Sequence, residues 1–345
     1  MKIYTIKYLF TSCFLLIASF AFTQATTVLV ESVGGTTAYS DLQTALSAAQ
    51  NGDKIYLSGG IHNPDGDNVI VNKQLEIVGA GFDLDTLVAT NASIIRGNLT
   101  LVNGASNCIL RGFKVEDGKL DIGSGLSSTD DVTNIFAELC WFEEGIDFSD
   151  SGNAQAPPSV FLIRHCAFGD VAVFYALDVT IQNCLVFGNL TTAYNGVVVD
   201  HCLFENGSSV TLEANNGMIT NCIFLGSSFF SSGESNIFAN NVFTDLTPGF
   251  DVEDQVENAF LSNEAAIFGE LLDLNFNPDV DYSTLPGSIV AGNATDGSTI
   301  GHEGGTTPWP SNYLPNTPYI WNESTIATQT NSNGDLPVSI KVSAQ

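Results

Sequence analysis

The amino-acid sequence predicts an all-β chain wound into a solenoid, a parallel β-helix of stacked coils. Three observations predict it: a six-residue pattern recurring between Leu110 and Phe243, a period of about 19 residues, and a turn-former at one fixed place in each copy. The pattern is apolar, any, turn-former, Cys, any, large apolar. It runs as Ile163-Arg164-His165-Cys166-Ala167-Phe168, Ile181-Gln182-Asn183-Cys184-Leu185-Val186, Val199-Asp200-His201-Cys202-Leu203-Phe204 and Ile219-Thr220-Asn221-Cys222-Ile223-Phe224. Ala137 to Phe142 is a weaker copy around Cys140, while Leu110 to Val115 and Phe238 to Phe243 carry Phe113 and Asn241 in the Cys place. From Cys166 onward the steps are 18, 18, 20 and 19 residues; the two earlier steps, 27 and 26, need only longer loops. Cys and the large residue two further on share one face of a strand. The apolar residue three before Cys breaks that alternation and demands a bend. The bend residue is His, Asn or Gly in six of seven copies, types that tolerate left-handed backbone.

A size prior would divide 345 residues into two domains, but a repeat overrides it. Hydrophobic residues at 44% against 14% charged exclude a mainly disordered chain. Lys2, Lys7 and the apolar stretch Leu9 to Phe22 form a secretory leader, residues 1–24, with cleavage expected at the Gln24–Ala25 bond. That stretch is short for a membrane span, and Cys13 inside it argues against a lipid anchor. No later segment is long enough to span a bilayer. The chain is therefore expected to be exported: extracellular, at the cell surface or periplasmic. With 38 acidic against 10 basic residues, its net charge of −28 repels nucleic acid and anionic membranes and sets both aside as partners. Solubility outside the cell explains this charge, and so does the holding of divalent cations; composition does not separate them.

After the leader, Ser40-Asp41-Leu42-Gln43 reads as a capping box, and Leu42, Ala45, Leu46 and Ala49 give a short amphipathic helix that would cap the N-terminal end. Gly52 to Leu57 opens the first coil, followed by Val69 to Val71 and Leu75 to Gly81. The helix with its N-terminal cap is expected over 25–248. Residues 249–345 are read as the last coils and an irregular cap protecting the C-terminal edge. There Val256 to Leu272 allows one short helix, Asp273 to Tyr282 is rich in Asn and Asp, and Leu336 to Val342 is a final strand. Inside the coils, Phe113, Cys140, Cys166, Cys184, Cys202 and Cys222 form one ladder beside Val115, Phe142, Phe168, Val186, Phe204 and Phe224. Without Cys13 of the leader six cysteines remain, Cys108 and the five of the ladder, and an even count in an exported chain argues for disulfides. Parallel stacking gives poor disulfide torsion, and a ladder of free thiols is the favoured reading. The Cys spacing follows the coil period and contains no CxxC, which argues against zinc.

The capping helix, Gly52-Asp53-Lys54-Ile55-Tyr56-Leu57 and Leu75-Glu76-Ile77-Val78-Gly79-Ala80-Gly81 resemble the start of secreted members of the pectin-lyase-like superfamily. Gly297 to Trp309 is similar to the closing segment of secreted β-helix proteins from Bacteroidota-type bacteria. The resemblance covers nearly the whole chain after the leader. It implies a right-handed single-stranded parallel β-helix with an N-terminal capping helix and an irregular C-terminal cap. It is specific for fold and poor for function, because lyases, hydrolases, adhesins and inert shafts share this architecture.

In that superfamily, binding sites lie on the outer face of the sheet that follows the third turn of each coil. Here that sheet should run through 119–122, 146–148, 171–175, 190–194 and 210–213, with Leu120, Ile122, Ile146, Phe148, Val210 and Leu212 inside. Its outer face then carries Lys119, Asp121, Asp147, Thr191, Thr211 and Glu213, with Phe174 and either Tyr175 or Tyr194 as stacking platforms. Lys119, Asp121, Asp147, Phe174 and Glu213 are the candidate glycan- or Ca2+-binding residues. Lyase chemistry requires carboxylates holding Ca2+ and a basic residue to take the proton alpha to a uronate carboxyl. Arg111 and Arg164 fall at the opposite bend, so no arginine base is expected near the acids, and an ordinary solvated sheet is the favoured reading. His165 and His201 share a column with Asn183, Asn221 and Asn240 and are read as turn residues. Gly301-His302-Glu303-Gly304 is similar to a Gly-His-Gly motif of polygalacturonases but lies in the tail, and its role is not carried over. The alternating Asp273, Asn275, Asn277, Asp279 and Asp281 lack the glycine and glutamate of an EF-hand loop. No catalytic residue is assigned and no cofactor is required. The expected function is non-catalytic, binding an extracellular polysaccharide or building the cell surface. A calcium-dependent lyase or a glycoside hydrolase of the same fold is the alternative. Oligomeric state is left open.

Overall fold

The computed structural model describes residues 26–82, 91–123, 132–148 and 160–310, apart from 174–177, 193–195, 206–208, 213–215, 226–227, 232–233, 245–247, 252, 270–275 and 278–279, together with four two-residue strands between 319 and 343. The leader and most of the chain after 310 lie outside these residues. The bend residues adopt the left-handed backbone their identities predict: φ is 52° at His165, 49° at Asn183, 50° at His201, 56° at Asn221 and 54° at Asn240. Leu139, the one misfit by composition, is held there as well, with φ of 54°. Each bend joins a strand of a 12-stranded sheet to a strand of a 16-stranded sheet, and nearly all pairing within both is parallel. The second sheet is itself two arrays, bridged by the long strands Trp141–Phe148 and Ala167–Val173. The chain is thus predominantly β, with long parallel sheets whose register advances one coil at a time.

Interior ladders follow from that register. Phe142 pairs with Phe168, Phe168 with Val186, Val186 with Phe204 and Phe204 with Phe224, all buried. Phe204, Phe224 and Phe243 stack with ring centroids 4.7 and 4.9 Å apart, the separation of successive coils. Cys108 and the five ladder cysteines are buried free thiols. Burial pushes the thiols of Cys166, Cys184 and Cys222 well up and that of Cys108 to about 11.

At the N-terminal end the helix Leu42–Ala48 buries Leu42, Ala45 and Leu46 in the same core. Its N-cap is Asp41, not Ser40: the Asp41 carboxylate accepts from the Thr44 backbone N–H at 2.8 Å, as an N-cap one residue before the first helical turn should. Ahead of it an antiparallel hairpin, Val28–Ser32 with Gly35–Tyr39, lies on the edge of the first coil strand Lys54–Leu57. At the other end the region expected to hold one helix from Val256 divides. Gln255–Glu257 and Phe260–Ser262 form one more coil, turning at Asn258 with φ of 50°, and among the described residues of this region only Glu264–Phe268 is helical. The interior positions of that coil, Val256 and Leu261, remain 40% and 68% exposed.

The tail beyond this helix lies along the flank of the coils. Ile267, Phe268, Phe276, Tyr282, Val290 and Ile300 cover an outward row, Ala167, Leu185, Leu203, Ile223 and Val242, and form a second apolar cluster with it. Residues 290–309 then run back down the bend column, one coil after another. Asn240 donates to Asn293 O (2.5 Å), Asn221 exchanges hydrogen bonds with Thr295, and His201 Nε2 meets Ser298 Oγ at 3.2 Å. Asn183 donates to His302 O and Gly304 O, both 2.8 Å, and His165 Nε2 donates to Thr307 O at 2.6 Å. Left-handed glycines at 297, 301 and 305 make this strap a chain of turns. Gly304 lies so close that any Cβ would collide with Thr299 O and the His201 ring.

Candidate functional site

The strands Leu120–Ile122, Trp141–Phe148, Ala167–Val173, Leu190–Thr192 and Ser209–Leu212 form the third array where the repeat places it. Leu120, Ile122, Ile146 and Phe148 point inward and are buried, so alternation turns Asp121 and Asp147 outward. These two acids are direct register partners on adjacent coils. The row continues on both sides, from Ile70 and Thr100 to Asp121, Asp147, Ala172, Thr191, Thr211 and Phe230. Phe174 and Glu213, with Tyr175 and Tyr194, lie outside the described residues.

Lys119 enters from the edge and bridges the acid pair, 2.8 Å from Asp147 and 3.2 Å from Asp121. Its partial burial works against the charge, but the two carboxylates outweigh this and raise its pKa. It is a firm ammonium at neutral pH. Burial raises the pKa of Asp121, against the pull of Lys119, and the neighbouring Asp147 charge adds to the rise. The position between the acids is therefore filled by the chain's own cation. Two carboxylates so bridged do not fit Ca2+, which takes six to eight oxygen ligands. Among the described residues no three His, Cys, Asp or Glu side chains gather as a metal site.

The row's two ends were not part of the sequence expectation. Ile70 is 51% exposed, and Phe230 presents a ring that is 55% exposed while its neighbour Phe229 is buried. The signal is the doublet Phe229-Phe230 within Ser228–Ser231, since adjacent strand residues must face opposite ways. Thr100, on the coil before Asp121, donates to Asn68 at 2.8 Å.

Arg111 and Arg164 sit elsewhere, as the bend position requires, while Arg96 is held by Glu116 and Asp117. Arg111 bridges Glu76 (3.1 Å) and Glu138 (3.2 Å), Arg164 pairs with Glu138, and both guanidinium groups lie over Phe136 at 5.2 and 5.4 Å. His165 and His201 hold the strap, which extends their reading as turn residues. Among the described residues no helix is long and apolar enough to cross a membrane. The chain matches no protein-family model, and a search among curated proteins finds no relative.

Proposed function

We propose that the chain is an exported, right-handed parallel β-helix protein, capped at its N-terminus by the Leu42–Ala48 helix, that binds extracellular glycan without cleaving it. The observation that carries this reading is the outward row itself. At the coil spacing it offers the Thr100, Thr191 and Thr211 hydroxyls and the Asp121 and Asp147 carboxylates, and it ends on the exposed ring of Phe230. Such a line suits a polymer lying along the helix axis, with hydroxyls bonding to Thr and Asp and one pyranose face on the phenyl ring. The acids are already bridged by the chain's own ammonium, which supports binding over chemistry. An ammonium with a raised pKa is unfit to take the alpha proton that a lyase removes. Construction of the cell surface is compatible with the same row.

One observation favours an enzymatic alternative. Asp121 holds its proton more firmly than an ordinary carboxyl and stands beside a second carboxylate, the pairing a glycoside hydrolase uses. Incubation with neutral polysaccharides and polyuronates, with Ca2+ or chelator, separates these readings. Retention without new reducing ends or unsaturated product is expected. Phe230→Ala should then weaken retention roughly twofold to twelvefold, the worth of about 0.5–1.5 kcal/mol for an aromatic contact. Product that disappears in Asp121→Asn would establish hydrolysis instead. No retention and no product would overturn the binding reading.

A further inference from the structure

We propose that the strap 290–309 is an acid-released latch: protonation of His302 and His165 at its interface undocks it from the coils and withdraws Val290 and Ile300 from the apolar row beneath. Three of the four histidines in the chain sit on this interface, His165 and His201 on the bend column and His302 on the strap. His302 is 2% exposed, held edge-on between Tyr282 and Trp309, and its Nδ1 is buried without a hydrogen-bond partner. A proton added there would place an unpaired charge in an apolar seam, which release into water relieves.

The charged groups around each ring decide the sign. For His302 the nearest acid along the chain is Glu303, whose carboxylate is committed to the N–H and hydroxyl of Thr284 at 2.8 and 2.7 Å. Burial takes the His302 pKa down to about 4, with Glu303 opposing weakly. His165 is also lowered by burial, with Arg164 beside it. Glu138, 3.9 Å from its Nδ1, already serves Arg111 and Arg164. His201 differs: Asp200 Oδ2 lies 2.9 Å from Nδ1 and Asp296 Oδ1 3.9 Å from Nε2, so a charge on this ring is balanced in place. Release is therefore driven by His302, with His165 acting in the same direction. A released His302 titrates near its ordinary 6.5 and a docked one near 4. Docking is thus complete above about pH 6.5 and weakens about tenfold per pH unit as pH falls towards 4, roughly 300-fold in all.

Hydrogen–deuterium exchange of the full chain at pH 7.5, 5.5 and 4.5, corrected for intrinsic rates, tests this. The strap amides are those of Gly301, bonded to Asn221 O, and Trp309, bonded to His302 O. The coil amides are those of Leu185, Leu203 and Ile223, bonded to the coil before. Strap protection should fall at least tenfold by pH 4.5 while coil protection stays, with reversible binding of an apolar dye. Unchanged strap protection, or strap and coils failing together, would overturn the proposal. His302→Gln should flatten the pH response, and a full response in that variant would overturn the assignment to His302. If the variant does not fold, the wild-type comparison of strap and coil amides still decides.

Discussion

At the scale of single residues, the bend position does two jobs that separate substitutions can tell apart. Asn183 both tolerates the left-handed backbone and donates two hydrogen bonds to the strap. Asn183→Gly keeps the first and loses the second, whereas Asn183→Ala loses both. The alanine variant should cost about 2–4 kcal/mol in denaturant unfolding, and the glycine variant about 1–2 kcal/mol less than that. Thiols buried in the core should ignore a thiol reagent in the native state, because the reagent cannot reach them. The six cysteines at 108, 140, 166, 184, 202 and 222 should all titrate once the chain is unfolded. Fewer would reveal disulfides. Lys119 carries a definite pH sign: its raised pKa adds stability that is present below about pH 10.5 and is lost as pH climbs through the folded-state value. Lys119→Met should remove that alkaline component from a plot of melting temperature against pH.

At the scale of elements, the interior was legible because strand alternation and a left-handed bend leave marks in every copy. Phe204→Ala would open a gap between its ladder neighbours Val186 and Phe224 and should cost about 3–5 kcal/mol, measured by equilibrium unfolding. The residue between Cys and the large apolar was less legible. Read as variable, it is Lys114 in the first copy but Trp141, Ala167, Leu185, Leu203, Ile223 and Val242 in the six that follow, apolar although it faces outward. An outward apolar column means a covered flank, and this was the available sign that the tail lies there. Gly297, Gly301 and Gly305, four residues apart, are the matching sign within the tail. Asp121 and Asp147 were placed correctly by alternation. Their capture by Lys119 was not legible, because side-chain reach across coils depends on rotamers that no spacing encodes. The Ser40 cap was misplaced by one residue because two capping types stand side by side and only backbone geometry chooses between them.

At the scale of the whole molecule, the net charge of −28 on a rod-like stack produces repulsion along its length. Salt screens it, since the Debye length falls from about 30 Å at 0.01 M to about 8 Å at 0.15 M. The melting temperature should rise between these conditions, and an equal or lower value would show that attractive pairs such as Arg111 with Glu76 and Glu138 dominate instead.

The strap also acts as a gauge of the stack. Its contacts at 293, 295, 298, 302 and 307 engage five successive bends, at sequence separations of 53, 74, 97, 119 and 142 residues. Coils further from the strap are engaged by residues later in it, so docking can be completed only after all five are stacked. It should be among the last events of folding, and slow for that reason. Solenoids commonly tolerate the gain or loss of a whole repeat, because each unit touches only its neighbours. This one should not. Excising the coil between Asn183 and His201 would shift every later bend by about 4.8 Å against a strap of unchanged length, leaving the contacts at one end or the other unmade. The tail thus counts the coils, and a chain with the wrong number is left with its flank uncovered.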